Sequence, residues 1–227
     1  MTVDAKNLRE RASAALNVLH HVERALGSLA LIGSERSATT IPLILASIDI
    51  AGSIYALLIN QPEKSWMAAL IMQRAQMEYV LRAAFFVRAA SEREVARFRR
   101  SGKMPKRGKN QIYIFDVANE AAQYLGWDRD RLLSTVKNQY RELSGLVHGG
   151  REVLAIYTMH EEWGDIDIDW SELIASVDNI LVFAQLGLAV AMSMSPLDPE
   201  SLDKAVRPAY GVARDYFSGQ KDNKGDE

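Results

Sequence analysis

From Asp4 to Leu31 the apolar residues Leu8, Ala12, Ala15, Leu19, Val22, Leu26 and Leu29 recur at steps of three and four, the repeat that lays one stripe along an α-helix. Such stripes continue along most of the chain, and each must be buried against another helix. The expected fold class is therefore predominantly all-α, a bundle of about six to eight helices. With 227 residues and 48% hydrophobic content, one helical domain over residues 1–217 with one continuous core can close. The polar, glycine-containing residues 218–227 read as a disordered tail.

Punctuation sets the boundaries. Gly33 and Ser34 break the first stripe, and Thr40, Ile41 and Pro42 predict a cap followed by proline in the first turn of a second helix, ending near Asn60. Gln61, Pro62 and Glu63 form a turn. A third helix from Ser65 to Ala90 carries Trp66, Leu70, Met77, Leu81 and Phe85 inward. Ser91 with Glu94 is a capping box for a short helix to Arg100. Ser101 to Gln111 reads as an exposed loop. Helices follow at Ile112–Leu125 and Arg129–Val147, the latter stopped by Gly149 and Gly150. Alternation in Glu152–Trp170 predicts a small β-hairpin near residues 152–170. Further helices run over Ser171–Ser195 and Glu200–Phe217.

Bulk properties narrow the function classes. Lys plus Arg number 27 against 29 Asp plus Glu, so no global field gathers polyanions, and any nucleic-acid site is local. The absence of cysteine excludes disulfides and thiolate metal sites and fits a cytoplasmic protein. Thr39–Ile59 holds Asp49 near its middle, and Asn179–Leu197 is diluted by Asn179, Gln185, Ser193 and Ser195. Both read as core helices, with no membrane partner. Gly187, Ala191 and Ser195 form a small-residue strip on which a second helix can approach closely, either within the chain or in a homodimer.

One constellation carries chemistry. Arg141 and His148 stand seven residues apart, within about 20° of two full helical turns and roughly 10.5 Å along the axis, with Ser144 between them. A guanidinium holds phosphate through its planar fork, and an imidazole moves protons near neutral pH. The same residues also suit capping of helix carbonyls and pairing with a neighbouring helix. On the third helix Arg74, Glu78 and Arg82 recur every four residues, either as a solvated ion-pair ladder or as a support in which Glu78 orients the imidazole or the arginine.

The Arg141-to-His148 segment resembles the arginine, four-to-six residues, histidine signature of the HEPN superfamily, the higher eukaryote and prokaryote nucleotide-binding domains. Arg74-Ala75-Gln76-Met77-Glu78 is similar to an arginine-and-glutamate helix in several of its bacterial members, and Ser144 to Gly149 to their serine-to-histidine-glycine end. The resemblance covers residues 40–150 and implies a HEPN-like core over about 40–195. It implies a homodimer whose two signatures face a shared cleft, and metal-independent endoribonuclease activity in toxin-antitoxin, phage-defence or stress systems, with RNA as substrate and a cognate antitoxin as partner. Arg141 would hold the scissile phosphate and His148 would transfer the proton, without cofactor. The alternative is a non-catalytic nucleotide- or protein-binding module of the same architecture. One departure is Glu142, acidic where active members carry a small polar residue or histidine.

Arg99, Arg100, Lys103, Lys106, Arg107 and Lys109 place six cations in one stretch without an acid, a surface that suits an RNA backbone or merely solvation. Tyr113 and Phe115 follow it and fit either the core or a stacking platform. Asp165, Asp167 and Asp169 fail as a calcium loop, because Trp170 stands where the turn needs glycine. His20 and His21 point to different helix faces without a carboxylate at ligand spacing, and His160 sits in a turn beside Glu161 and Glu162, so no metal site is expected.

Overall fold

The computed structural model describes residues 2–150, Val153 and residues 169–219. Among them are eight α-helices, one π-helical segment and one two-stranded antiparallel hairpin, the predominantly all-α bundle that the periodicity requires. The hairpin expected near residues 152–170 lies outside the described residues, as does the tail beyond Gly219.

Helix α1 spans Val3–Ser28 and buries Ala5, Leu8, Ala12, Ala15, Leu19 and Val22. Its cap is Thr2, whose side chain accepts from the Ala5 N–H. Helix α2 (Glu35–Asn60) starts before the expected Thr40. Ser34 and Ser37 cap it reciprocally, the Ser34 hydroxyl accepting from Ser37 N–H at 3.1 Å and Ser34 N–H donating to the Ser37 hydroxyl at 2.9 Å. That pair outweighs the threonine-proline signal. Pro42 consequently lies inside the helix, where it forfeits the bond to the Ala38 carbonyl.

Helix α3 (Pro62–Ala84) runs into a π-helical turn, Phe85–Ala89. Arg36 of α2 holds the end of that turn, donating to the carbonyls of Phe86 at 2.8 Å and Ala90 at 2.6 Å and to Glu92 at 2.6 Å. Helix α4 (Glu92–Ser101) begins on the Ser91–Glu94 capping box. The following stretch, expected as a loop, contains strands β1 (Lys106–Arg107) and β2 (Asn110–Gln111), with Lys106 opposite Gln111. Helices α5 (Ile114–Leu125), α6 (Arg129–Val147), α7 (Trp170–Met192) and α8 (Pro199–Ser218) complete the bundle. Ser218 is thus helical rather than tail.

Helix α7 packs against α1, α2 and α3, while α5 and α6 cover another side of α3. The buried side chains form two clusters, one built on α1, α2, α7 and α8, the other joining α3 to α5 and α6; Leu43 and Trp127 touch both. Helices α2 and α7 are long and apolar enough to cross a membrane by length and composition. Here their apolar faces meet neighbouring helices: Gly187 lies beside Ile44 and Val80, and Ala191 is buried. Gly187 and Ala191 are thus used inside the chain, whereas Ser195, expected on the same strip, lies beyond the end of this helix. A polar staple fixes α8, where Asp178 accepts from Arg11 Nε at 2.9 Å and from the Tyr216 hydroxyl at 2.6 Å, and the Arg11 guanidinium lies over the Tyr216 ring.

Candidate functional site

The C-terminus of α6 presents His148 by an explicit backbone device. Its N–H donates to the Ser144 carbonyl at 3.1 Å, and Gly150 N–H donates to the Gly145 carbonyl at 2.8 Å. Between them Gly149 takes φ of 63°, a left-handed conformation that a side chain disfavours. This Schellman closure ends the helix at His148 and leaves its ring exposed.

The guanidinium that meets this ring belongs to Arg74 of α3, not to Arg141. Arg74 Nη1 lies 3.1 Å from His148 Nε2. A guanidinium only donates, so Nε2 is the acceptor in this contact. Arg74 Nη2 donates to the Tyr140 hydroxyl at 2.9 Å, and its carbon stands 4.7 Å from the Tyr140 ring centre. Its Nε donates to Glu78 at 3.2 Å. Glu78 also accepts from Arg82 at 2.6 Å. The three ladder side chains are only 16%, 17% and 29% exposed for Arg74, Glu78 and Arg82. The ladder thus faces α6 rather than open solvent, and its Arg74 reaches the imidazole.

Helical geometry explains why α6 supplies Tyr140, Ser144 and His148. Four-residue steps advance a side chain by about 40° around the axis, so the three form one line. The spacing of that line is legible in the sequence, but a tyrosine on an amphipathic helix reads as core, so nothing local marks Tyr140 as part of the site. Ser144 holds its hydroxyl buried, bonded to no described residue. Arg141 is exposed and makes no hydrogen bond or ion pair with any described residue. Glu142 is exposed. The carboxyl of Glu172, at the start of α7, is raised above its ordinary value first by desolvation, then by the charges of Glu142 and Asp169.

Of the six cations in the 99–109 stretch, two are engaged. Arg99 pairs with Glu35 at 3.4 Å, and Arg107 with Glu94 and with Glu120 at 3.1 Å. Arg100, Lys103, Lys106 and Lys109 are exposed and pair with no described carboxylate. Tyr113 is 70% exposed and Phe115 38%. Phe115 meets Tyr140 edge-to-face, ring centres 5.9 Å apart, linking α5 to the Arg74–His148 contact. Among the described residues no three His, Asp or Glu side chains converge as metal ligands. No family model matches the chain, and neither does any curated protein or solved structure, so the functional reading is carried by this constellation itself.

Proposed function

We propose that the chain is a HEPN-like, metal-independent endoribonuclease, with His148 as the proton-transfer group and Arg74 and Arg141 as its phosphate-facing cations. One observation carries the reading: at the exposed end of α6 a guanidinium and an imidazole converge to 3.1 Å. A phosphodiester oxygen entering between them takes hydrogen bonds from Arg74 Nη1 and from a protonated His148 Nε2. With the imidazole neutral, Nε2 instead accepts the proton of a ribose 2′-hydroxyl. That oxygen then bonds to phosphorus while the bond to the 5′-oxygen breaks, and the proton taken up by His148 Nε2 passes to the departing 5′-oxygen. Glu78 keeps Arg74 aimed, and Arg141, free of ion pairs with described residues, is available to the adjacent phosphate.

A second reading draws on a different observation. Arg74 directs three of its donors to Glu78, Tyr140 and His148, an engagement that also suits a non-catalytic nucleotide- or protein-binding module. Incubating the purified chain with total RNA in a chelator separates the two. The nuclease reading expects RNA decay that falls about a hundredfold or more in His148→Ala and Arg74→Ala. Intact RNA at micromolar protein, with helicity confirmed by circular dichroism, gives the site to the binding module. The composite cleft of a homodimer, a cytoplasmic defence setting and a cognate antitoxin belong to the same proposal, and sedimentation velocity tests the dimer directly.

A further inference from the structure

Helix α5 opens on an aromatic residue, although an entering helix gains most from Ser, Thr, Asp or Asn. Asp116 accepts from the Tyr113 N–H at 3.0 Å, so the carboxylate caps the backbone. The Tyr113 ring is 70% exposed, and core burial gives no reason for it. Tyr113 lines a cavity of about 310 Å³ with Arg107, Asn110, Gln111, Asp116, Asn119 and Glu120.

The wall opposite α5 is the β1–β2 hairpin, all of whose strand residues face solvent. It is nevertheless anchored. Met104 and Ile112 are buried on either side of it, Ile112 N–H donates to the Pro105 carbonyl at 3.1 Å, and Arg107 is tied to Glu94 and Glu120. An anchored hairpin thus holds out the amides of Asn110 and Gln111 and the ammonium groups of Lys106 and Lys109, none bonded through its side chain to a described residue. A ring face, two free amides and two free cations are the groups that stack a base, meet its edge and hold its phosphate.

We infer that the cavity between the β1–β2 hairpin and α5 is a subsite for an unpaired nucleobase, stacked on Tyr113 and met along its edge by Asn110 and Gln111. The inference rests on the ribonuclease reading for its link to cleavage. Phe115, two residues beyond Tyr113, touches Tyr140, which is bonded to Arg74, so the Tyr113–Phe115 segment at the start of α5 carries both the subsite's ring and a contact to the proposed reacting centre.

The test titrates short fluorescein-labelled single-stranded RNA into His148→Ala, in which the ribonuclease reading expects cleavage to be slowed about a hundredfold or more, with fluorescence anisotropy as readout. Adding Tyr113→Ala weakens binding roughly tenfold, while Tyr113→Phe keeps it. An RNA with an abasic site at the responsive position binds both proteins alike. Lys106→Ala with Lys109→Ala lowers the salt slope by about 1.4. Displacement of the label by adenosine 5′-monophosphate identifies a free nucleotide as a sufficient ligand, and failure to displace it identifies the polymer. Equal affinity of Tyr113→Ala and its parent, or no RNA binding by the parent, overturns the subsite. If the wild-type chain leaves RNA uncut while Tyr113-dependent binding persists, the nuclease reading falls and the subsite stands.

Discussion

Glu78→Gln removes one charge and almost no volume, and it tests whether the α3 ladder is a support or a solvated face. An exposed helical ion pair contributes about 0.3–0.5 kcal/mol, so two such pairs would total less than about 1 kcal/mol. Glu78 is 17% exposed and binds two guanidiniums that are 16% and 29% exposed. Its loss leaves both without a counter-charge in partly desolvated positions. Removing one partner of a fully buried pair costs about 3–5 kcal/mol, and residual solvent at these groups brings the expected cost to about 2–3 kcal/mol. For a chain of this length each kcal/mol lowers Tm by about 2–4 °C, so thermal circular dichroism of Glu78→Gln melts about 4–12 °C below the parent. Arg74→Ala in the same background adds much less than it costs alone, because the two share one interaction. A shift under about 2 °C, with full additivity, refutes the support. The imidazole would then owe its position to the Gly149 closure alone.

Other changes separate stability from function. Arg141→Ala leaves Tm unchanged, since the side chain is exposed and bonded to no described residue, yet it slows RNA cleavage and reduces the salt slope of RNA binding by about one; unchanged cleavage removes Arg141 from the site. Gly187→Ala places its Cβ 3.5 Å from Ile44 and 3.8 Å from Val80, ordinary contact distances, so helix propensity dominates and the variant melts at or slightly above the parent. A large loss there would mean the α2–α7 contact is tighter than described. Alkaline titration tests the α8 staple: Tyr55 and Tyr216 are both raised above the ordinary 10.0, chiefly by burial, with Asp178 adding to both. A raised folded pKa favours the protonated phenol. That stabilisation is complete below the unfolded value near 10 and is lost as pH climbs above it. Tyr216→Phe lowers Tm at neutral pH by removing the bond to Asp178, and it flattens the alkaline limb. An equally steep limb in the variant assigns that limb to other groups.

The helices were legible because their signals are local. Ser91 with Glu94, and Asp128 ahead of Arg129, mark starts through side chains that reach only three residues, and Gly149 marks a stop. The start of α2 escaped because two signals competed within one stretch. Thr40 and Pro42 form a familiar helix opening, but reciprocal capping by Ser34 and Ser37 satisfies orphan donors earlier, and proline is tolerated farther in. The hairpin at residues 106–111 escaped for another reason: its strands bury nothing, so no alternation marks them, and its anchor on Glu94 and Glu120 comes from α4 and α5.

The site shows where one-dimensional spacing ends. Arg141 and His148 share a helix face by arithmetic, but that arithmetic does not say which guanidinium the imidazole meets. The answer depends on how α3 lies against α6, which Met77, Leu81, Leu132 and Val136 set from the core. Arg74 is presented to His148 because Met77 and Leu81, on the adjoining face of α3, are buried toward α5 and α6. Glu78 follows Arg74 by one turn and can therefore hold it without leaving the helix. The polar line on α3 and the Tyr140–Ser144–His148 line on α6 are thus two edges of one packed interface. A change to its apolar floor, such as Val136→Ala, should disturb the imidazole as surely as a change to Arg74. Cleavage lost in Val136→Ala together with about 1–3 kcal/mol of stability supports that coupling, whereas loss of stability with cleavage intact separates the floor from the site.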